Sequence, residues 1–426
     1  MDLIRRKHLC LIAFFAGVII IGTLMLKLPF VTHVTGISWE DAFFTAIAAT
    51  CVTHMGNLST AGFNLPGQLI VLILLQIGGL GMMSLVASVV IMMRGIKAGE
   101  NIVLGAPRSM SAGKMEKLLR TVITYTFIIE AIGFVFLTGT FWLQKDFNFL
   151  TSAYYGLFHS VSAFCNAGFT PFNDSMMTVT WIVKLIISFL VLAGGLGFYA
   201  VFDLWESFHE RGKLLINTKL ILIASAILVV GGTLFFKALE GSNTSWMDSY
   251  FMVVSARSSG FFSVLPSLMH NNSTLVIMLL MLVGCSPGST GGGIRTVGAS
   301  LIFLTILNAF KGNVRLLIFK REIPLRYALK SFAIAISFII TATVLALITA
   351  VTFDLSLKRV GFEIVSALTN CGLPWDINGK LLATPRGLIA YCMFLGRIGP
   401  MTILLFFLRE RNASHLSYPK ERVIIG

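Results

Sequence analysis

Residues 151–168 read TSAYYGLFHSVSAFCNAG, a short apolar stretch that ends in a glycine, and a proline follows three residues later. A helix needs about 20 apolar residues to cross a bilayer, so a stretch of about a dozen fits a re-entrant half-helix instead. The chain contains four such stretches, and each is followed by a glycine loop and a nearby proline. They are residues 41–52, 151–164, 247–256 and 360–368.

The loops after these stretches share a pattern, and a second glycine landmark follows each loop at a nearly constant distance. The loops read Thr53-His54-Met55-Gly56, Cys165-Asn166-Ala167-Gly168, Arg257-Ser258-Ser259-Gly260 and Thr369-Asn370-Cys371-Gly372. The landmarks begin 22, 26, 24 and 24 residues later, as Gly78-Gly79-Leu80-Gly81, Gly194-Gly195-Leu196-Gly197, Gly284-Cys285-Ser286-Pro287-Gly288 and Gly396-Arg397-Ile398-Gly399. A single loop glycine is also a default turn residue. Four loop glycines, each followed by a landmark at a nearly constant distance, indicate four copies of one unit. Each unit consists of a span, a half-helix, a glycine loop and a second span.

The composition is typical of an integral membrane protein. Apolar residues make up 56% of the 426-residue chain and charged residues only 12%, about half the charged share of a soluble domain. The six cysteines include no pair at CxxC spacing, so they predict neither a disulfide framework nor a zinc site. Eight apolar segments are long enough to cross a bilayer. They are residues 9–26, 67–93, 121–143, 185–202, 220–236, 274–294, 331–353 and 387–408.

The distribution of charge orients these segments. With the amino terminus in the cytoplasm, two thirds of the 33 lysines and arginines fall on the cytoplasmic side, as the positive-inside rule requires. Both termini are therefore predicted to be cytoplasmic. A nucleic-acid-binding face would concentrate the net charge of +14 on one domain, and the sequence has no such domain. The predicted divisions are four pore repeats and a cytoplasmic tail: residues 1–94, 95–210 with a basic loop at 95–120, 211–310, 311–409 and 410–426.

The four units run out and back in the same direction, unlike the inverted repeats of many secondary transporters. The predicted fold is all-α, with eight spans and four half-helices in a pseudo-fourfold ring around one pore. Each half-helix would point its partly negative carboxyl end at the axis, which favours a cation. Glycines that permit φ > 0 let carbonyl oxygens replace the ion's hydration shell. The predicted ion-binding residues are Thr53, His54, Met55, Gly56, Cys165, Asn166, Ala167, Gly168, Ser258, Ser259, Gly260, Thr369, Asn370, Cys371 and Gly372.

Residues 284–293 place five glycines and a proline inside an otherwise spanning segment. Broken backbone at membrane depth is tolerated only where protein or a water-filled cavity surrounds it. We therefore predict an intramembrane gate below the third loop, and a tight helix-packing seam is the alternative. No Gly-Lys-Ser/Thr follows, which argues against a phosphate loop. The predicted gate residues are Ser286, Pro287, Gly288, Ser289, Thr290, Gly291, Gly292 and Gly293, together with Arg397.

Arg397 lies near the middle of the last predicted span, too far from either end for its side chain to reach the interface. Charges at that depth are costly and usually face a cavity or a partner. Arg397 occupies the same place in its unit as the other landmark residues occupy in theirs. This register predicts that it faces the pore below the selectivity filter that the four glycine loops would form. The alternative is a structural ion pair with Glu130, which also lies in mid-span.

Other classes of membrane protein lack support in the sequence. No Ser/His/Asp order and no HExxH motif occurs, which disfavours a membrane-embedded enzyme. A secondary antiporter would need buried acidic relays, and Glu130 alone qualifies.

The loop and gate motifs resemble those of the Ktr/Trk/HKT superfamily of potassium transporters over nearly the whole chain. The chain begins directly with the first repeat, so it is more similar to the Ktr membrane subunit than to the Trk type, which has extra amino-terminal helices. The motifs are Asn166-Ala167-Gly168-Phe169, Ser258-Ser259-Gly260-Phe261, Asn370-Cys371-Gly372-Leu373, the stretch 285–293 and Gly396-Arg397-Ile398-Gly399-Pro400.

This resemblance implies uptake of potassium through a channel-like path in the bacterial plasma membrane, with sodium dependence and no covalently bound cofactor. It also implies a homodimer and a cytosolic nucleotide-binding regulatory ring. A Trk-type potassium transporter or a potassium/sodium cotransporter is the alternative. One departure concerns the first loop, where the family reads Thr-Gly-Leu and this chain reads Met55-Gly56-Asn57 after His54. We interpret Gly56 as the retained glycine, which favours a potassium-selective backbone.

Overall fold

The computed structural model describes residues 2–32, 37–55, 60–92, 112–144, 147–210, 212–312, 315–375 and 386–399. Several predictions fall outside these described residues. They concern Gly56 and Asn57, residues 95–111 of the basic loop, the end of the last predicted span and the tail 410–426.

The described residues form fourteen α-helices and one hairpin of two strands. The helices are α1 (Asp2–Leu26), α2 (Trp39–Thr50), α3 (Leu65–Met92), α4 (Ala112–Leu143), α5 (Phe149–Phe164), α6 (Trp181–Gly195), α7 (Phe198–Glu210), α8 (Ile216–Glu240), α9 (Trp246–Ala256), α10 (Asn271–Val283), α11 (Thr296–Phe310), α12 (Leu325–Phe353), α13 (Leu357–Leu368) and α14 (Arg386–Ile398). The strands are β1 (Leu316–Ile318) and β2 (Arg321–Ile323).

A short helix lies at each of the four positions where the sequence predicts a half-helix. These are α2, α5, α9 and α13, with 12, 16, 11 and 12 residues. Three of them begin at a polar side chain that accepts a hydrogen bond from the first turn, which satisfies a free backbone N–H there. The caps are Ser38 with Asp41 N (3.0 Å), Asn148 with Thr151 N (2.8 Å) and Ser245 with Asp248 N (3.0 Å).

Long apolar helices support a membrane location. Among the described residues, three stretches are long and apolar enough to cross a membrane, and a bent pair adds a fourth. Many large apolar side chains on these helices are exposed, including Phe136, Ile227 and Val351. Such a surface suits lipid and not water. The count of eight spans stays a prediction. The three stretches are Arg120–Leu143, Ile216–Asn243 and Leu325–Phe353.

The apolar segment predicted as a span over residues 185–202 is not one straight helix. The chain instead forms α6 and α7, which meet at a bend of 90°. Gly197 at the bend has φ of +82°, a conformation that glycine adopts without a steric penalty. The amide of Phe198 donates to the carbonyl of Gly288 at 3.0 Å. The bend is therefore fixed by the glycine-rich segment that follows α10.

The predicted break inside residues 274–294 is present. Helix α10 ends at Val283, and Gly284 continues with φ of +65°. The chain returns to helical structure only at Thr296, the first residue of α11. We call residues 284–295, between these two helices, the gate segment.

The all-α prediction missed one element in the basic region 311–330. Strands β1 and β2 pair antiparallel, with Leu316 opposite Ile323. The two residues between them, Phe319 and Lys320, both have positive φ. Two consecutive positive φ values match the two-residue turn whose twist suits a hairpin.

Landmark glycines pack against the carboxyl ends of the short helices. A Cβ atom on Gly78, Gly194 or Gly396 would overlap the carbonyl oxygen of Thr50, Phe164 or Leu368, respectively. These glycines therefore allow the long helices to approach the short-helix backbone, as small residues do in membrane proteins.

Gly194→Ala is expected to lower the thermal stability of the purified protein, because the new methyl group collides with a backbone oxygen that cannot move aside. Overpacking of this kind costs about 1–3 kcal/mol. Gly231→Ala in α8 is the matched control, since no atom lies within 4 Å of the added Cβ and alanine is the better helix former. Equal melting temperatures for the two variants in detergent would contradict this packing role.

Candidate cation path

Each short helix ends in a backbone of the same shape. The second residue after each helix is left-handed, which turns the chain out of the helix. For Val52 this conformation is costly, by about 1–3 kcal/mol, and persists only because the surroundings impose it. The left-handed residues are Val52 (58°), Asn166 (58°), Ser258 (96°) and Asn370 (52°).

Three of the predicted loop glycines also have positive φ, at 74° for Gly168, 77° for Gly260 and 82° for Gly372. None has room for a side chain, because each lies against the backbone of the next loop. A Cβ on Gly168 would lie 2.5 Å from the Ser259 oxygen, and one on Gly260 would lie 2.8 Å from the Cys371 oxygen. The second loop therefore contacts the third, and the third contacts the fourth.

The first loop contacts both the fourth loop and the second loop. A Cβ on Gly372 would lie 3.1 Å from the Cα of His54, and the Asn370 amide donates to Thr53 Oγ1 at 2.9 Å. The His54 ring packs edge-on against Phe169 of the second loop, with 4.9 Å between ring centroids. All four loops thus meet in a closed sequence of contacts.

Serine hydroxyl groups of the short helices hold the loop backbone in place. Ser162 donates to the Phe169 carbonyl at 2.7 Å, and Ser366 donates to the Leu373 carbonyl at 2.9 Å. Ser255 donates to the Phe261 carbonyl in the third unit. The predicted loop residues that the structure describes are all buried apart from His54, which is partly exposed.

The gate segment lies directly against these loops. Thr290 Oγ1 is 2.6 Å from the side-chain amide of Asn166, and the Gly292 amide donates to Ser258 Oγ at 2.9 Å. A Cβ on Gly292 would overlap the carbonyl oxygen of Thr369. The segment therefore contacts the second, third and fourth loops at once.

The remaining predicted gate residues anchor the segment and shape its turns. The Ser286 amide donates to the Gly195 carbonyl at 3.2 Å, and Ser289 Oγ donates back to the Ser286 carbonyl at 2.7 Å. A Cβ on Gly197 would contact the carbonyl of Pro287. Further bends occur at Gly288 (φ 74°) and Gly293 (φ 92°).

Arg397 joins the gate segment to α3. Its Nη1 donates to the Thr290 carbonyl at 2.6 Å, and its Nη2 donates to the Gly78 carbonyl. The residue is 3% exposed. Glu130, the alternative partner, instead accepts from Gln76 Nε2 at 3.0 and 3.1 Å. The guanidinium thus lies against the gate segment and not against Glu130.

Two further arginines, the buried Arg257 and the partly exposed Arg295, were missed as candidate site residues. Arg257 donates to Ser225 Oγ at 3.0 Å and to Thr296 Oγ1 at 3.3 Å. Arg295 donates to the Gly291 carbonyl at 2.7 Å. Both could have been found from the sequence, since each is a charge close to a glycine landmark.

This arrangement suits a small cation. Apart from Arg257, whose guanidinium is bonded to α8 and α11, the described residues of the four loops carry no charged side chain. What they offer are backbone carbonyls, hydroxyls and the partly negative carboxyl ends of four helices. Carbonyl groups of this kind can replace the hydration shell of an alkali ion. The fold and site define a membrane protein with a candidate path for cations.

Comparison with known proteins agrees with that class. The family described as TrkH, cation transport protein, matches residues 4–221 and 213–416. The chain therefore belongs to this family of cation transport proteins.

Among similar proteins, the Ktr system potassium uptake protein B of Vibrio alginolyticus is 33% identical over 97% of this chain and 93% of its own length. The potassium/sodium uptake protein NtpJ of Enterococcus hirae is 30% identical over 96% of this chain and 94% of its own length. The crystal structure of the potassium transporter TrkH from Vibrio parahaemolyticus superposes with a TM-score of 0.75 at 18% identity, covering 95% of this chain and 85% of that chain. This last similarity shows a shared fold.

Proposed function

We propose that this chain is the ion-translocating membrane subunit of a potassium uptake system. The observation that carries the proposal is the closed sequence of contacts among the four loops, with left-handed glycines at three of them. The family to which the chain belongs is one of cation transporters, and the proposal assigns transport and no enzymatic activity to the chain.

In this proposal the four loops form a selectivity filter at the centre of a pseudo-fourfold ring of eight spans. The four pore repeats keep the boundaries predicted from the sequence. Ions enter at the outer side, lose water to loop oxygens, and continue toward the gate segment. Three features favour the arrangement: the matching helix ends, the cyclic contacts, and the landmark glycines against the short helices.

The gate segment is the proposed barrier below the filter. It touches three loops and is held by Arg397 through Thr290. A path blocked at this depth opens when the segment moves away from the loops. The positive charge of Arg397 adds an electrostatic barrier to the steric one.

The assembly is proposed to be a homodimer with both termini of each chain in the cytoplasm of a bacterial cell. A cytosolic nucleotide-binding ring would regulate it, since several relatives are named as components of Ktr systems. A potassium/sodium transporter is the second candidate, favoured by the similarity to the Enterococcus hirae protein. A Trk-type potassium transporter is the third, favoured by the shared fold.

The test is ion flux in liposomes that contain the purified protein. Potassium, rubidium and sodium uptake would be measured with and without a candidate regulatory ring. Potassium and rubidium uptake that depends on the protein supports the proposal, and comparable sodium uptake favours the second candidate. No cation flux under any condition would contradict the function.

Gly168→Ser and Gly372→Ser are each expected to lower the ratio of potassium to sodium flux toward one. A side chain at positive φ costs about 1–3 kcal/mol, and here it also meets the backbone of the next loop. The altered carbonyls would then fit potassium less well. Gly241→Ser is the matched control, because Gly241 has φ of +59° and open space around it. Unchanged flux ratios in both loop variants would refute the filter assignment.

A further inference from the structure

The first loop departs from the other three at one position, which the folded backbone identifies. In the second, third and fourth loops, a glycine lies four residues after the last helical residue, at Gly168, Gly260 and Gly372. The same count from Thr50, the last residue of α2, reaches His54. The left-handed residues that precede these four positions by two are Val52, Asn166, Ser258 and Asn370.

Contacts between loops give the same register independently. The glycine of the second loop packs on Ser259 and Gly260, and that of the third packs on Cys371 and Gly372. The glycine of the fourth loop packs on Thr53 and His54. His54 therefore receives the contact that a loop glycine receives in the two other pairs.

The spacing to the helix landmarks agrees. The landmarks lie 26, 24 and 24 residues after the glycines of the second, third and fourth loops, and Gly78 lies 24 residues after His54. Counted from Gly56, the interval is only 22. Three observations thus place a histidine where the sequence led us to expect a glycine two residues later.

His54 changes both the backbone conformation and the side-chain group at this position of the first loop. Its φ lies outside the left-handed region, unlike that of the three glycines. Its ring packs against Phe169 at 4.9 Å between centroids, and its Nδ1 has no hydrogen-bond partner among the described residues. The first loop therefore brings a different backbone direction and an imidazole ring to the meeting point of the four loops.

We propose that His54 is the selectivity-determining residue of this cation path, and that its presence in place of a fourth glycine makes the path accept sodium as well as potassium. The inference rests on the proposed function and specifies its substrates. Three loops can turn a left-handed glycine carbonyl toward the ion, and the first cannot. Strong preference for potassium depends on the number and arrangement of coordinating carbonyls, so an incomplete ring discriminates weakly.

The experiment compares wild-type protein with His54→Gly in liposomes, measuring potassium and sodium uptake under equal gradients. The wild type is expected to prefer potassium by less than about tenfold, and His54→Gly should raise the preference about tenfold, because four equivalent loops then surround the ion. His209→Gly is the control for the substitution itself. His209 is exposed in the last turn of α7 and bonds only to Trp205 of that helix among the described contacts.

Two results would overturn the inference while leaving the proposed function intact. One is a folded His54→Gly protein that takes up potassium with the flux ratio of the wild type. The other is a wild-type preference for potassium above about a hundredfold, which decides the matter even if His54→Gly does not fold. Absence of all cation flux in the wild type would overturn both.

Discussion

Arg397→Ala is expected to increase potassium flux, by up to about a hundredfold. The positively charged guanidinium repels a passing cation. At an effective dielectric constant of about 20, a unit charge about 5 Å away is worth roughly 3 kcal/mol. The substitution also removes the hydrogen bonds to the carbonyls of Thr290 and Gly78, which releases the gate segment from α3. Rubidium uptake into liposomes measures the effect.

Glu130→Gln separates this barrier role from a structural one. Glu130 accepts its hydrogen bonds from Gln76 and not from Arg397, so its neutralisation should leave flux near the wild-type level. If Arg397 were instead a structural partner of Glu130, both variants would lose folded protein. A folded Arg397→Ala protein with unaltered or slower flux would end the barrier interpretation.

Deleting Ser289–Gly293 is expected to raise flux at least about tenfold and to reduce its dependence on a cytosolic partner. The deletion removes the threonine beside Asn166, the amide bonded to Ser258, and the carbonyl that holds Arg397. Obstruction of the path below the loops therefore shrinks. The flux increase corresponds to a barrier lowered by about 1.4 kcal/mol or more.

Thr290→Val is the milder companion of this deletion. It removes the hydroxyl beside Asn166 but keeps the chain length and the carbonyl that accepts from Arg397. Its flux should rise less than that of the deletion. A deleted protein that folds and forms its usual oligomer, yet conducts at the wild-type rate, would assign the segment to packing alone.

The positions of the short helices could be read from the sequence because they depend on local features. An apolar stretch of about a dozen residues cannot cross a bilayer, and the turn residues that follow stop the helix. The break after Val283 was equally local, since glycine and proline interrupt helices by their own chemistry. The orientation derived from the basic loops also depends on a local feature, the charge of each loop, and it stays a prediction.

The bend between α6 and α7 could not be read in this way. Gly194-Gly195-Leu196-Gly197 reads as a helix-packing motif, and it does pack against α5 at Gly194. The chain turns at Gly197 because the Phe198 amide donates a hydrogen bond to the carbonyl of Gly288. Gly288 lies some 90 residues further along the chain. No local pattern specifies that partner.

The register of the first loop was decided by similar long-range contacts. A glycine at position 56 fitted the expected pattern, although the interval to Gly78 already favoured His54. The packing of Gly372 on the His54 backbone resolves the ambiguity. A one- or two-residue shift is difficult to exclude from a single sequence because loop length varies freely among repeats.

The sequence by itself determined the class of this protein, the positions of its four short helices and the break after Val283, because apolar length and glycine spacing act locally. The tertiary structure alone decided which groups meet. Arg397 could have paired with Glu130 or with the gate segment, and it donates to Thr290, which lies 107 residues away in the chain. Partners so distant in sequence are chosen by how the helices pack, since packing sets the direction of every buried side chain and the carbonyls within its reach.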